Sequence, residues 1–446
     1  MGTAGRAPVL ILGSGWGGFS LARRLDKSKF ETTLVSPANH FLFTPLLPST
    51  TVGTLEFRCI QEPVRTIPHL RYVQAKATRI DLASRTAVVR DIFKGREHEL
   101  RFDKLVLAVG CKTATFGTPG VDERERAGRH VFFLKHLYHA RAIRNRLLEL
   151  FERADAPGVE PELRRRLLTF VVVGGGPTSC EFTSELFDFL RQDVSRWYPD
   201  LVRDVRVTLV EAGPVLLGPF HKSLREYAMS IFERREVDVR LGVSVKAVRS
   251  RGGVPADGGV PADDDDSPVA VLSDGSEMEF GLMVWSAGLR AVRLTESLGL
   301  PRAPSGRVLV DAYCRVRGHE ARNDVFAIGD CAVHDERQLA QIAQVASQQG
   351  AYVARVLNAG GEPRDAFRFF SLGAMVSLGD FAGAYDGTHV GDPHGKELRL
   401  PRVSGPLAWL MWRGGYAARQ VSFANMMLIP MHWFKSFFFG RDISRF

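Results

Sequence analysis

The sequence predicts an α/β protein made of two doubly wound parallel-sheet units followed by an amphipathic C-terminal segment. Three observations predict it: a glycine-rich turn at residues 13–18, a second at 174–179, and a stretch after residue 400 rich in aromatic and basic residues. Each glycine turn follows a short apolar run and opens a stretch with helical periodicity. One such turn is a weak signal, whereas two in the same strand-to-helix context are far stronger.

The first unit opens with Val9-Leu10-Ile11-Leu12, read as a buried strand, and continues through Gly13-Ser14-Gly15-Trp16-Gly17-Gly18 into a helix. In such a turn the first glycine permits the tight bend and the second lets a pyrophosphate approach the backbone. The helix N-terminus then faces the negative charge. The second strand ends at Leu34-Val35-Ser36, where an acid would ordinarily bind ribose hydroxyls. Ser36 binds more weakly, which suits a resident cofactor held by many other contacts. In Phe41-Leu42-Phe43-Thr44-Pro45-Leu46-Leu47-Pro48 the two prolines are expected to forbid a helix and to leave a rigid apolar loop. Residues 72–100 alternate as a meander does, and Leu105 to Gly110 reads as a buried strand ending in glycine.

A charged helix over about 135–155 leads to the second unit. Phe170-Val171-Val172-Val173 precedes Gly174-Gly175-Gly176-Pro177-Thr178-Ser179, and the next strand, Val207 to Val210, ends in Glu211, so here the acid is present. The long gap between glycines and acid requires a long helix or an insertion over 182–200. Residues 252–267, a tandem Gly-Gly-Val-Pro-Ala-Asp with an acidic run, read as a disordered, solvated hairpin tip. Val284-Trp285-Ser286-Ala287-Gly288 repeats the strand that ends at Gly110. Asn323 to Cys331 is a further strand, ending in Gly329-Asp330, whose acid is placed to meet a ribityl or ribose hydroxyl.

At 446 residues the chain holds two or three domains with sizeable cores. The net charge of +9 permits nucleic-acid or membrane association only where the basic residues cluster. They do so after residue 400, where six Lys and Arg face one acid, Asp442, among Trp409, Trp412, Trp433 and several Phe. Leu407, Leu410 and Met411, then Met427, Met431 and Phe434, recur at helical spacing; this suits a helix lying in a membrane interface, with plain core as the alternative. The five cysteines are scattered singly, which argues against structural zinc, any other metal site and a disulfide framework. No apolar run is long enough to span a bilayer, and Arg6 stands too close to the first strand for a targeting peptide.

Taken in order, these motifs resemble the two-dinucleotide-binding-domain flavoproteins, in particular the type II NADH:quinone oxidoreductases, the rotenone-insensitive single-subunit NADH dehydrogenases. The resemblance rests on Leu10 to Gly17, Phe41 to Ser49, Gly174 to Thr178 with Glu181, Ala343-Gln344-Val345-Ala346-Ser347-Gln348, and the ending Phe437-Phe438-Phe439-Gly440-Arg441-Asp442. It implies a Rossmann-like, discontinuous FAD domain (1–135 and 305–370), an inserted NADH domain (136–304) and a membrane-anchoring segment (371–446). It further implies resident FAD on Gly13, Gly15, Trp16, Gly17, Gly18, Ser36, Thr44, Pro45, Ala108, Gly110, Gly329 and Asp330. NADH is the substrate, on Gly174, Gly176, Pro177, Thr178, Glu211, Ala287 and Gly288. A membrane quinone, ubiquinone or menaquinone, is the acceptor at Leu46, Gln344 and Gln348, with Glu181 near the reacting rings. Two electrons pass from NADH through the flavin to the quinone by a ping-pong or ternary route, without proton pumping.

Bland alternatives stand beside these roles: Glu181 as a helix-dipole acid, Glu211 as a surface acid, and the glutamines as a solvated helix face. The resemblance implies a peripheral protein of the mitochondrial inner membrane or, in a bacterium, of the cytoplasmic face of the plasma membrane. It leaves room for a homodimer and expects no nucleic acid. Two competing readings share the scaffold. Sulfide:quinone oxidoreductase needs a cysteine pair, for which only Cys180 and Cys331 are candidates, and a protein like apoptosis-inducing factor needs a polar basic tail.

Overall fold

The computed structural model describes residues 5–121, 130–250, 268–360, 364–392, 397–398 and 400–445. The expected hairpin tip at 252–267 lies outside the described residues. The chain runs through β1 (Ala7–Leu12), α1 (Trp16–Ala22), β2 (Phe30–Val35), β3 (Arg71–Val73), β4 (Lys104–Leu107), β5 (Val131–Phe133), α2 (Leu137–Asp155), β6 (Thr169–Val173) and α3 (Pro177–Phe189). It continues through β7 (Arg206–Glu211), β8 (Asp238–Leu241), β9 (Leu282–Trp285), β10 (Val325–Ala327), α4 (Ala343–Asn358), β11 (Ser371–Ser377), β12 (Gly383–Gly391), α5 (Pro406–Ala417) and α6 (Phe423–Phe439).

Two parallel sheets form the frame. The first has the order β10-β4-β1-β2-β3 and the second β5-β9-β6-β7-β8, so each begins with an added strand and is otherwise built alike. Helices cover both faces of such sheets, which is why the central strands are continuous apolar runs: Val9 to Leu12 and Phe170 to Val173 are all buried. The meander is present as the antiparallel strands Ala75–Asp81, Thr86–Asp91 and Glu97–Arg101.

Two expectations change and a third, the long helix or insertion before Glu211, is resolved as a helix. The boundary expected at residue 135 falls too late, because β5 pairs with β9 in the second sheet. The segment after Phe43 is not free of helix: Thr44–Leu46 makes a 3-10 turn and Leu47–Thr50 one α-turn. Pro45 and Pro48 stand in the first turn of each, where a missing N–H leaves no hydrogen bond unmade. The long gap before Glu211 is filled by α3 running on through a π-turn at Leu190–Val194 and a last turn at Ser195–Trp197.

The C-terminal part begins with the antiparallel pair β11 and β12, on which α5 packs, and α6 packs in turn against α5 and the turn at Phe57–Ile60. Of the expected outer face, Leu407, Leu410, Met427, Met431 and Phe434 are exposed and Met411 is half-buried. The opposite face is core, with Ala408, Trp412, Ile429 and Trp433 buried. Between the helices the Arg413 guanidinium lies 4.1 Å from the Trp409 ring centroid and 4.6 Å from that of Trp433. Among the described residues no helix is long and apolar enough to cross a membrane.

Candidate active site

The two glycine turns are equivalent in register. Leu12 pairs with Val35 and Val173 with Val210, so Ser36, just past β2, and Glu211, the last residue of β7, occupy the same place in their units. Gly110 and Gly288 match as well, both at φ +68° three residues past β4 and β9, the strands paired with β1 and β6.

In the first turn Gly13 sits at φ +111°, and a Cβ there would stand 2.2 Å from the Ala108 carbonyl oxygen. A Cβ on Gly15 would meet nothing within 4 Å. Gly15 is also the N-cap residue of α1, and no side chain among the described residues caps it. The second turn is built alike: Gly174 at φ +114° lies against Ala287, while Gly176 faces open space and caps α3 without side-chain help. Each turn thus leaves an open glycine beside an uncapped helix start, a cradle that fits a pyrophosphate group. Pro177 and Thr178 are the first two residues of α3.

At the strand ends the two carboxyl-side contacts differ. Ser36 Oγ lies 2.9 Å from Ser14 Oγ, both buried. Glu211 instead accepts from the Gly175 N–H, and from the Gly213 N–H at 2.5 Å. A neutral hydroxyl pair marks one cradle and an anion the other. The Ser14 contact was not signalled in the sequence, because nothing separates it from the variable position of a glycine turn.

Several expected contacts turn out to be packing. A Cβ on Gly17 would meet Ile328 and Ala346, and one on Gly18 would stand 2.0 Å from the Gly13 carbonyl oxygen. These glycines therefore let α1 approach the turn and α4, where Ser20 Oγ donates to the Ser347 carbonyl at 2.7 Å. Trp16 braces the proline segment, its indole N–H donating to Thr44 Oγ1 at 3.0 Å and its ring meeting Phe41 edge-on at 4.9 Å. Pro45 and Leu46 follow in that braced turn, with Leu46 fully buried. Asp330, half-buried, accepts from Cys111 Sγ at 3.0 Å, and the Gly329 N–H donates to Gln349 Oε1 at 2.7 Å.

Gln344 and Gln348 are half-buried, and both are engaged with backbone groups. Gln344 donates to the Gly373 carbonyl at 3.0 Å and accepts from the Leu372 N–H at 3.0 Å. Gln348 does the same with Phe370, at 2.8 and 2.9 Å. Each amide copies a peptide group and fastens the start of β11 to α4. With these bonds made, a quinone carbonyl would have to use the second N–H of each amide.

Glu181 is buried, and it does not cap its own helix. Its Oε1 accepts from the Ser377 N–H at 3.2 Å and from the Trp412 indole N–H at 2.8 Å. Burial outweighs both bonds and pushes the carboxyl up to about 8. With both bonds on Oε1, the proton sits on Oε2. Trp412, which donates to this carboxyl, meets Tyr416 edge-on at 5.1 Å, and Tyr416 in turn meets Phe43 edge-on at 5.8 Å. The sequence left the facing of Trp412 open within the aromatic tail; packing turns it inward.

The five cysteines are free and buried. Burial raises Cys180 and Cys331 alike, the latter to about 11, so neither is a ready thiolate. No group of three or more metal-ligating side chains occurs among the described residues.

Residues 7–350 match the family of pyridine nucleotide-disulphide oxidoreductases. The chain belongs to that family. It is 37% identical to a probable NADH dehydrogenase of Dictyostelium discoideum, over 98% of this chain and 91% of the relative. It is 35% identical to the internal alternative NAD(P)H-ubiquinone oxidoreductase A1, mitochondrial, of Arabidopsis thaliana, over 98% and 85%. To the external NADH-ubiquinone oxidoreductase 2, mitochondrial, of Saccharomyces cerevisiae it is 34% identical, over 98% and 82%. Among solved structures it shares the fold of NDH2 from Plasmodium falciparum in complex with NADH, with a TM-score of 0.85 at 23% identity over 98% of this chain and 100% of that one. Despite the family's name, no cysteine pair here is bridged among the described residues.

Proposed function

We propose that the protein is a non-proton-pumping NADH:quinone oxidoreductase, with FAD in the first cradle and NADH in the second. The observation that carries this reading is the pairing, in one chain, of two register-equivalent glycine cradles with a helical tail whose outer face is apolar. The relatives' names supply the acceptor class, a ubiquinone. FAD, when bound, takes two electrons from NADH and passes them to the quinone.

The chain's own residues position, exclude water and supply protons. Gly13, Gly15, Ala108, Gly110 and the Ser14–Ser36 pair would hold the FAD phosphates and ribose, Thr44 and Pro45 would close over it, and Asp330 would take the ribityl hydroxyls. Gly174, Gly176 and Thr178 would hold the NADH phosphates beside Ala287 and Gly288. Glu211 would take the adenine-side ribose and repel a 2′-phosphate. Glu181, buried and holding its proton at Oε2 beside the Trp412 indole, is a proton donor suited to a reduced quinone oxygen. The outer face of α5 and α6 would rest on the membrane where the quinone resides, the mitochondrial inner membrane by analogy with the relatives.

The deciding experiment follows NADH oxidation by the purified protein with and without a short-chain quinone, reading flavin absorbance throughout. NADH is expected to bleach the flavin and quinone to restore it; bleaching by sulfide instead would overturn the reading. The carboxylate at Glu211 gives a separate expectation. Glu211→Gln should raise kcat/KM for NADPH relative to NADH by about tenfold, as removal of one repulsive charge from a specificity site does. Equal efficiency of the wild type with both nucleotides would remove Glu211 from that role.

A further inference from the structure

Where the proline-rich loop of the first unit, helix α3 of the second and the C-terminal tail meet, charged side chains are buried together. Glu185 lies one helical turn beyond Glu181 on α3. Its Oε1 accepts from Ser49 Oγ at 2.7 Å and its Oε2 from Thr54 Oγ1 at 2.5 Å. Thr54 Oγ1 accepts in turn from Arg441 Nε at 2.9 Å. The same guanidinium donates from Nη1 to Asp193 Oδ2 at 2.7 Å and to Gln192 Oε1 at 2.9 Å. The Arg441 backbone N–H donates to Asp193 Oδ1 at 2.8 Å. The side chains of Arg441 and Asp193 are 4% and 2% exposed.

Local features confirm that the tail is seated here. The π-turn at Leu190–Val194 carries Gln192 and Asp193 to the same contact as Glu185; such turns often mark functional positions. Gly440 has φ +80°, and a Cβ there would stand 2.9 Å from Asp193 Oδ1, so only glycine fits. Ser436 of α6 donates to the Thr54 carbonyl at 2.9 Å. Asp442 is held by Arg144 of α2, whose Nη2 donates to the Asp442 carbonyl at 2.8 Å and lies 3.8 Å from its carboxylate.

We propose that Arg441, Thr54 and Glu185 are positioning residues for quinone reduction, holding the proline-rich loop, helix α3 and the apolar helix α6 in the single arrangement that keeps Glu181 against Trp412. A planar guanidinium satisfies Thr54, Gln192 and Asp193 together only when all three segments are docked. Any other docking leaves a buried charge unpaired. None of the three residues meets the reacting atoms; they act through Glu181 and the loop that carries Leu46. The assignment rests on the quinone reductase reading.

The test uses the full-length protein and three variants. Lysine in Arg441→Lys keeps the charge but not the fork, Thr54→Val keeps the shape but not the hydroxyl, and Arg445→Ala removes an exposed partner of Glu149 as a control. In the first two, turnover with a short-chain quinone is expected to fall about tenfold while flavin bleaching by NADH alone stays within about twofold, as expected for a misplaced rather than a missing group. Amide exchange over 423–445 should quicken in both, and Arg445→Ala should match the wild type in every readout. In the wild type itself, amides of α6 and of residues 190–194 should exchange as one cooperative unit. Separate exchange of the two segments overturns the junction, and this readout stands even if the wild type reduces no quinone. Unchanged quinone turnover in a folded Thr54→Val, or a parallel loss of bleaching, overturns the positioning role.

Discussion

Replacing Glu181 by Gln is expected to slow quinone reduction at neutral pH by about 100-fold, within the range a positioned proton donor contributes. The fold should survive. Both bonds that Glu181 accepts, from Ser377 and Trp412, end on Oε1, and a glutamine carbonyl keeps them. What Gln lacks is the proton on Oε2. Burial raises this carboxyl from its ordinary 4.5 to about 8, so the folded chain holds the proton across a range where the unfolded chain has released it. The stability linked to it is complete below pH 4.5 and is lost as pH rises through about 8. Two measurements follow. The Tm of Glu181→Gln should lie within about 2 °C of wild type at pH 5 and above it at pH 9, because Gln cannot ionise. The quinone rate of the wild type should fall through an inflection near pH 8 that the variant lacks. A Tm difference of the same size at both pH values would assign Glu181 to structure alone.

Serine at Leu410, Met431, Phe434 and Phe438 together is expected to release the protein from liposomes without unfolding it. These four side chains are 59–63% exposed, and the Phe434 and Phe438 rings sit 4.6 Å apart on the outer face of α6. At about 1.5 kcal/mol or more for each large apolar side chain, four contribute on the order of 6 kcal/mol to partitioning, about four orders of magnitude. The inner face of the same helices behaves differently. Trp412→Ala or Trp433→Ala removes a ring from the core and should cost about 3–5 kcal/mol of stability. Trp412 also holds Glu181, while Trp433, with Trp409, flanks Arg413, whose guanidinium burial lowers to about 10. Deleting the whole tail would confound the two faces. The measurement is co-sedimentation with vesicles containing anionic lipid, beside a thermal melt. A quadruple variant that melts as wild type and still sediments would refute membrane docking by this face.

Much of the frame was legible in the residues because it depends on local rules. A run such as Val9 to Leu12 followed by Gly13 can be read without a structure: period, turn and helix start all act within a few residues. Register then carried Ser36 and Glu211 to equivalent places, as the strand lengths required. The prolines were misjudged through position, since Pro45 and Pro48 stop a helix from passing but suit the first turn of one. The strand at Val131–Phe133 was missed because three residues give no period to count.

The sequence by itself therefore determined two nucleotide cradles, their inequality at Ser36 and Glu211, and an apolar tail with helical spacing. Tertiary structure alone decided which groups are satisfied by one another. Gln344 and Gln348 proved to be fasteners for β11. Glu181 proved to be a buried acid joined to Trp412, and Arg441 the partner of Thr54 and Asp193 from hundreds of residues away. The reason is physical. Backbone conformation and periodicity are set by neighbours in sequence, whereas a buried polar group takes its protonation and role from whatever distant atom desolvates or bonds it.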